Sequence, residues 1–269
     1  MFSRVAALAV VLTVALALTS CQSVPLTGRS QLNLVPASTM LSMSQEQYGQ
    51  FLKENKVSGD ARQTQRVRDV GQRIARAVED YLTATNLGAE VKEYKWEFNL
   101  IEDKAVNAWA MPGGKVVVYT GILPVTRSEA GLATVLGHEI GHVVAKHGNE
   151  RMSQGLLAQF GGVALSVALN KYPAQTQQLW MGVYGAGAQY GILLPYSRLQ
   201  EYEADKLGLV FMAMAGYDPE EAVSFWQRMA AEKKGEQTPE FLSTHPTDAN
   251  RIARLRELVP MAKAHYRGK

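Results

Sequence analysis

The sequence predicts an α+β protein that is mostly helical, with a small antiparallel sheet beside a helix that carries an H-E-x-x-H motif at residues 138–142. The strands are predicted by a change of period, because aromatic and apolar residues alternate with polar ones in YKWEFNL, residues 94–100. Two more short strands flank the Pro-Gly-Gly turn at residues 112–114. From Ser128 onward the hydrophobic pattern is helical.

The helices are predicted in order along the chain. Residues 44–82 carry apolar residues at helical spacing among charges, which indicates one or two amphipathic helices. Residues 155–170 and 179–195 are apolar and rich in glycine. Neither has 18 uninterrupted apolar residues, so we expect buried or surface-docked helices, with a membrane-contacting hairpin as the alternative. Residues 218–221, DPEE, form a capping box before another helix, and a last helix is predicted after Pro246.

Composition limits the function classes. With 46% hydrophobic and 20% charged residues, the 269-residue chain is an ordinary globular protein that can bury one or two cores. Its formal charge is only +3, and its basic residues are interspersed with acidic ones. We therefore expect no nucleic-acid partner.

The N-terminus predicts export. Arg4 is followed by an apolar run, residues 5–18, that is too short to span a bilayer comfortably and is typical of a secretory signal peptide. Residues 18–21, LTSC, resemble a bacterial lipobox, in which the cysteine becomes the lipidated first residue. Cleavage by an ordinary signal peptidase, which would leave a soluble protein, is the alternative. Cys21 is the only cysteine, so an intramolecular disulfide is excluded.

These features predict the domain organisation and the location. We expect a lipoprotein signal peptide over residues 1–20, a lipidated tether over 21–42 and a single catalytic domain over 43–269. Gln22 follows the cysteine, where an aspartate would resemble an inner-membrane retention signal. The expected location is therefore the periplasm, with a lipid anchor on Cys21 in the outer membrane.

The H-E-x-x-H motif predicts a zinc site. His138 and His142 are four residues apart and share one helix face, so both imidazoles can bind one ion. Glu139 lies about 100° round the helix, where it can reach a water on the open side of the metal. A third protein ligand has to come from elsewhere. The metzincin pattern is excluded, because Ala145 and Gly148 stand where it needs glycine and histidine.

His147 is excluded by spacing. It follows His142 by five residues, about 140° round a continuous helix, which excludes it as a ligand of the same ion and predicts a polar residue, or one that supports a ligand, near the helix end. The remaining candidate for a third ligand is SRLQEYEADKLG, residues 197–208.

Within this segment Glu201 and Asp205 share a helix face, while Glu203 points to the opposite side. Glu201 would complete a site of two histidines and one glutamate with an open position for water. Asp205 would accept the free imidazole N–H of a zinc histidine. Taken alone, the segment also fits a solvated acidic helix face.

Three motifs in order resemble a known family. GHEIGHVVAKH, YSRLQEYEAD and THPTDANRI are similar to the gluzincin family of the CAAX prenyl protease and HtpX-like membrane proteases, and most to its small periplasmic lipoproteins. The resemblance implies a zincin-like domain with one Zn²⁺ per chain, acting as a metalloendopeptidase on misfolded or misassembled proteins of the bacterial envelope. Glu139 would be the general base. Processing of prenylated peptides in a membrane is not implied, because the family's multiple transmembrane helices are missing.

The resemblance also gives His245 a role. This residue is similar to the histidine that the family places after the third ligand, and it is expected to donate a hydrogen bond to the developing oxyanion. A neutral imidazole also binds zinc, so His245 could instead occupy the open position and hold the enzyme latent.

A peptide substrate is expected to add a strand along residues 106–111, with Asn107 and Ala108 lining the cleft. The alternative is that both are plain sheet residues. The rival function is a non-catalytic, zinc-stabilised periplasmic chaperone or outer-membrane assembly factor. Glu139 argues against it, because a structural metal site needs no base.

Overall fold

A computed structural model describes residues 21–189, 193–232, 239–245 and 250–268, so the predicted signal peptide lies outside the described residues. Its strands are β1 (Cys21–Ser23), β2 (Ser30–Leu32), β3 (Glu97–Ile101), β4 (Ala108–Met111) and β5 (Lys115–Tyr119). Its helices are α1 (Ala37–Glu54), α2 (Ala61–Ala84), α3 (Gly88–Val91), α4 (Leu123–Thr126), α5 (Glu129–Val144), α6 (His147–Leu169), α7 (Ala174–Ala188), α8 (Leu194–Met214), α9 (Glu221–Glu232), α10 (Glu240–Thr244) and α11 (Arg251–Lys263). The predicted fold class, a mostly helical α+β domain, is confirmed.

One detail of the main sheet differs from the prediction. The strand order is β3-β5-β4, and β5 is antiparallel to β4 but parallel to β3. The tight turn at Gly113 and Gly114, both with positive φ, reverses the chain, so β5 runs in the direction of β3 and takes the central place. Alternating residues identify strands but do not specify their order, so the prediction of three antiparallel strands was wrong for β3.

Two helices cross very closely in the core, and this crossing positions the site. A Cβ atom on Gly208 of α8 would lie 2.8 Å from the backbone of Gly137 on α5. One turn further, a Cβ on Gly141 would lie 2.8 Å from the carbonyl oxygen of Ala204. Helices approach this closely only where side chains are absent, so these glycines bring the H-E-x-x-H motif against the acidic segment of α8.

The N-terminal segment packs on the domain. Strands β1 and β2 form an antiparallel hairpin. The Leu34 N–H donates to Ser153 Oγ at 2.8 Å, and Asn149 Nδ2 donates to the Val35 carbonyl at 2.7 Å. These contacts connect the segment predicted as a tether to the first turns of α6. The predicted domain boundaries stay predictions.

Part of α6 and all of α7 project from the domain as a hairpin, residues 155–188, which we call the arm. Large apolar side chains on it are exposed: Phe160 is 66%, Leu179 is 64% and Trp180 is 51% accessible. The expectation of buried or surface-docked helices is therefore wrong, because apolar composition predicts removal from water but not which partner removes it. By length and apolar content α6 could cross a membrane.

Candidate metal centre

Four side chains converge at the crossing of α5 and α8. His138 Nε2 lies 3.1 Å from His142 Nε2, and the Glu201 carboxylate lies 3.2 and 3.3 Å from these two atoms. His245 Nδ1 lies 3.2 Å from His138 Nε2 and 3.1 Å from the Glu201 oxygens. Ligand bonds of about 2.0–2.1 Å give a tetrahedron with edges of about 3.3 Å. The separations of 3.1–3.3 Å are close to this edge, and all four donor atoms lie within 4.8 Å of one another, so the cluster can hold a zinc ion.

Asp205 and Arg251 orient the His138 ring from the side opposite to the centre. Its Nδ1 lies 2.9 Å from Asp205 Oδ1, and Arg251 donates to both oxygens of Asp205, at 2.8 and 2.7 Å. Burial alone would raise the pKa of Asp205, but the charge of Arg251 and the bond from His138 bring that pKa below its usual value. The ionised carboxylate accepts a hydrogen bond from the Nδ1–H, so Nε2 presents a lone pair to the centre.

The His142 ring is oriented by a second histidine, His147, which in turn binds Glu203. His142 Nδ1 lies 2.8 Å from His147 Nδ1, and His147 Nε2 lies 3.0 Å from Glu203 Oε2. Glu203 can only accept, so His147 donates through Nε2 and accepts through Nδ1. His142 then carries its proton on Nδ1, and its Nε2 also presents a lone pair to the centre. Burial holds the pKa of His142 well below its usual value, which favours this neutral form.

Such a set of atoms needs a cation. Lone pairs of His138 Nε2, His142 Nε2 and the Glu201 carboxylate face one another beside His245 Nδ1, and one proton cannot satisfy them all. Burial lowers the pKa of His138, but its bonds to Asp205 and Glu201 raise that pKa to about 9, so the pocket favours a positive charge. Three nitrogens and one oxygen at this spacing fit zinc.

Glu139 stands beside the centre. Its Oε1 lies 3.2 Å from His245 Nε2 and has no well-aligned hydrogen-bond partner among the described residues. Burial raises the pKa of Glu139. A carboxylate with a raised pKa and an unused oxygen beside a metal can accept a proton from an attacking water.

The predicted substrate residues lie on the edge of the sheet. Ala108 begins β4, the outer strand, and the amide of Tyr119 donates to the Asn107 carbonyl at 3.1 Å. This register turns the main-chain groups of Ala108 and Ala110 away from β5. Asn107 Oδ1 accepts from the Ala108 N–H at 2.9 Å.

Comparison with known proteins decides the family. The model of peptidase family M48 matches residues 62–259, well over half of the chain. The chain belongs to peptidase family M48. The mitochondrial metalloendopeptidase OMA1 of Schizosaccharomyces pombe is 33% identical over 91% of this chain and 68% of its own length. The human mitochondrial metalloendopeptidase OMA1 is 30% identical over 88% of this chain and 46% of its own length.

A bacterial relative also matches this M48 chain. The beta-barrel assembly-enhancing protease of Yersinia pestis is 33% identical over 63% of this chain and 36% of its own length. Most of these relatives are thus considerably longer than the part that the chain spans. The family and its named metalloendopeptidases identify the chain as a zinc metalloendopeptidase.

Two predictions need correction. The gluzincin family is confirmed, but the named relatives are OMA1 and beta-barrel assembly-enhancing proteases rather than CAAX, HtpX-like or small lipoprotein members. The predicted location, the periplasm with an outer-membrane lipid anchor, is wrong. The relatives that match 88–91% of the chain and lead the comparison are mitochondrial enzymes. One basic residue and a short apolar run are common to several targeting signals and do not specify a compartment. Lipidation of Cys21, which begins β1, stays a prediction.

Sequence reasoning missed several residues of this M48 site. His147 is not one of the four clustered residues, as predicted, but its contact with His142 was not foreseen: Lys146 has φ 54° and ψ 31°, so the chain turns and α6 begins at His147. Glu203 does face away from Glu201, yet that side of α8 is also buried. Arg29 and Arg251 come from the two ends of the chain. The only signal for His147 was a third histidine close behind the motif.

Proposed function

We propose that this M48 endopeptidase cleaves misfolded or misassembled proteins of the bacterial cell envelope. The observation that carries the proteolytic part is the buried cluster of His138, His142, Glu201 and His245, with Glu139 beside it. The envelope substrates are supported by the beta-barrel assembly-enhancing proteases of Yersinia pestis and Vibrio cholerae, which match 63% and 82% of the chain.

The proposed residue roles follow from this geometry. His138, His142 and Glu201 bind zinc, and Asp205 orients His138. A bound zinc ion supplies Lewis acidity that polarises the scissile carbonyl and lowers the pKa of a water. Glu139 accepts the proton of the attacking water through its unused Oε1 and delivers it to the leaving amine.

Substrate binding is proposed at the β4 edge. An extended peptide can pair with the outward main-chain groups of Ala110 and the outward carbonyl of Ala108, because β4 is an edge strand of the sheet and packs against the zinc helix α5. Asn107 would fix the start of this edge, since its side chain already binds the Ala108 N–H. Such backbone pairing requires an extended or unfolded segment, which misfolded proteins present.

His245 is proposed to act as a latch that opens. Its Nδ1 occupies the fourth corner of the cluster, where a catalytic zinc keeps a water. In the open state the imidazole would donate to the oxyanion that develops as the carbonyl is attacked. We expect His245→Ala and His245→Phe to lower turnover by about 10²- to 10³-fold with little change in zinc content. Normal turnover in both variants would exclude the catalytic role, and unchanged access of small zinc-binding inhibitors would exclude the latch.

The main test is Glu139→Gln. We expect this variant to fold, to bind one zinc and to lose cleavage of unfolded proteins, because the amide cannot accept the proton of water. It should still bind extended segments, so trapping substrates on it identifies them. A variant that retains zinc and matches the wild type in cleavage would exclude the protease reaction and favour a chaperone.

We also propose that a lipid bilayer covers the arm. Lys171, at the tip, is the only charged residue between Arg151 and Arg198 in the sequence. Apolar side chains point outward from both helices, so a protein partner on one side would leave others exposed. The hydrocarbon of a bilayer surrounds a hairpin on all sides. It suits this arm, whose one charged residue, Lys171, lies at the tip.

Flotation with phosphatidylcholine vesicles tests this second proposal. The wild type should float with the vesicles, whereas Phe160→Asp and Trp180→Asp should stay in solution. Val57→Asp, at an exposed apolar residue outside the arm, is the matched control and should float. Wild-type protein that stays in solution as a dimer, and becomes monomeric on Phe160→Asp, would show instead that a second copy covers the arm.

A further inference from the structure

Behind His142 lies a buried chain of polar groups that the proposed reaction does not use. It runs from His142 Nδ1 to His147 Nδ1 at 2.8 Å, and from His147 Nε2 to Glu203 Oε2 at 3.0 Å. His147 is fully buried and Glu203 is 3% accessible. Buried imidazole and carboxylate groups this close are fixed in orientation, because each has few alternatives for its hydrogen bonds.

The chain of groups ends on the N-terminal hairpin. Arg29 Nε donates to Glu203 Oε2 at 2.9 Å, and the other two nitrogens of its guanidinium donate to Glu150 at 2.6 and 2.8 Å. Thr27 also donates to Glu203, and Gln200 donates to Glu150 at 2.6 Å. One guanidinium therefore holds two buried carboxylates, Glu203 and Glu150.

The hydrogen bonds in this chain of groups all run in one direction, from His142 to Glu203. Glu203 fixes the proton of His147 on Nε2, so His147 can only accept from His142. His142 must then keep its proton on Nδ1 and offer Nε2 to the metal position. Replacing His147 by a group that cannot accept would leave a buried N–H without a partner and free the His142 ring to turn.

We infer that His147 and Glu203 are positioning residues for His142, and that Arg29 on the N-terminal hairpin fixes the pair. The residues that were predicted to form a tether would thus support the metal centre. This inference rests on the proposed zinc role of His142. It extends that role to the spacing H-E-x-x-H-x-x-x-x-H, in which the last histidine binds a metal ligand instead of the metal.

The test is zinc affinity, measured by competition with a chromogenic chelator. His147→Phe should weaken zinc binding by about 10- to 100-fold, the usual effect of losing a group that orients a ligand. His147→Gln keeps an acceptor for His142 and a donor for Glu203, so it should stay within about 3-fold of the wild type. Glu203→Gln and Arg29→Ala should lie between these values, and Arg29→Lys should restore part of the loss.

A spectroscopic readout separates orientation from general damage. With cobalt(II) in place of zinc, the visible absorption bands should shift in His147→Phe and stay unchanged in His147→Gln, because they report the geometry of the ligands. Thermal unfolding of the metal-free proteins checks that the variants are folded. Wild-type zinc affinity and unchanged cobalt bands in folded His147→Phe would overturn the inference.

His142→Ala distinguishes this failure from failure of the proposed function. Loss of stoichiometric zinc in His142→Ala, combined with normal affinity in His147→Phe, would remove only the positioning role. Full zinc retention in His142→Ala would instead remove the proposed zinc site. A loss in His147→Phe that His147→Gln does not rescue would mean that the hydrogen bond to His142 is not what supports the ligand, which also overturns the inference.

Discussion

The two histidines of the zinc helix are supported on two different sides of the centre. On the His138 side the imidazole meets a carboxylate directly, Asp205, which Arg251 holds by two hydrogen bonds. On the His142 side a second imidazole stands between the ligand and its carboxylate, Glu203. Both sides end in an arginine, but Arg251 comes from the last helix and Arg29 from the first hairpin.

The two sides depend to different degrees on remote parts of the chain. Asp205 lies one helical turn from Glu201, so a single helix provides both a proposed ligand and the group behind His138. The His142 side needs a turn at Lys146, a residue from α8 and a residue from the N-terminal hairpin. On the first side local periodicity places Glu201 and Asp205 on one helix face, and only Arg251 is added from the last helix, whereas on the second side the three supporting groups come from three separate segments of the chain.

The largest expected effect comes from breaking the His138 side. In Asp205→Asn the buried Arg251 loses the charge behind its two short hydrogen bonds and keeps, as a charged partner among the described residues, only the Glu201 carboxylate at 3.5 Å, which costs about 3–5 kcal/mol of the free energy of unfolding. Zinc affinity should fall by about 10- to 100-fold. Glu203→Gln should cost less stability, because Arg29 keeps its two bonds to Glu150. Urea unfolding and chelator competition on both variants measure the difference, and an equal or larger stability loss in Glu203→Gln would contradict it.

An intermediate effect is expected where the two helices cross. In Gly208→Ala the new methyl would lie 2.8 Å from the backbone of α5, so the helices must separate and both sides of the centre must shift. We expect a loss of about 1–3 kcal/mol in the free energy of unfolding. The matched control is Gly155→Ala on α6, where a Cβ meets no described atom within 4 Å.

The control variant Gly155→Ala should be more stable than the wild type. Gly155→Ala should gain about 0.5–1 kcal/mol, because alanine is a better helix former than glycine. Urea unfolding of the two variants checks the signs. A Gly208→Ala protein as stable as the control would mean that the crossing tolerates expansion, and the glycines would then not explain how the site is positioned.

The sequence predicted the parts of this fold and site that depend on local spacing. Two histidines and a glutamate in one pentapeptide, and two carboxylates four residues apart, share helix faces whatever surrounds them. Pairing in the sheet, exposure of the arm and the contacts of Arg29 depend on which remote segments meet. The periodicity of apolar residues in the sequence carries no information about which remote segments meet. His147 shows the limit most clearly: its spacing correctly excludes it as a ligand, but the left-handed residue before it decides that its ring meets His142.

The smallest expected effect concerns that left-handed residue. Lys146 has φ 54°, a conformation that asparagine tolerates and a β-branched residue does not. Lys146→Asn and Lys146→Val both remove the ion pairs with Glu90 and Glu93, which are partly exposed and weak. The difference between the two variants therefore isolates the backbone, and Lys146→Val should be less stable by about 1–2 kcal/mol. The zinc affinity of Lys146→Val should also fall, because the turn places His147 against His142. Adding Glu203→Gln to Lys146→Val should cause little further loss of zinc affinity.

Urea unfolding measures the stability difference, and chelator competition measures the zinc affinities. Equal stability of the two variants would show that the turn is not strained, and fully additive losses of zinc affinity would show that the turn and Glu203 act independently rather than through His147.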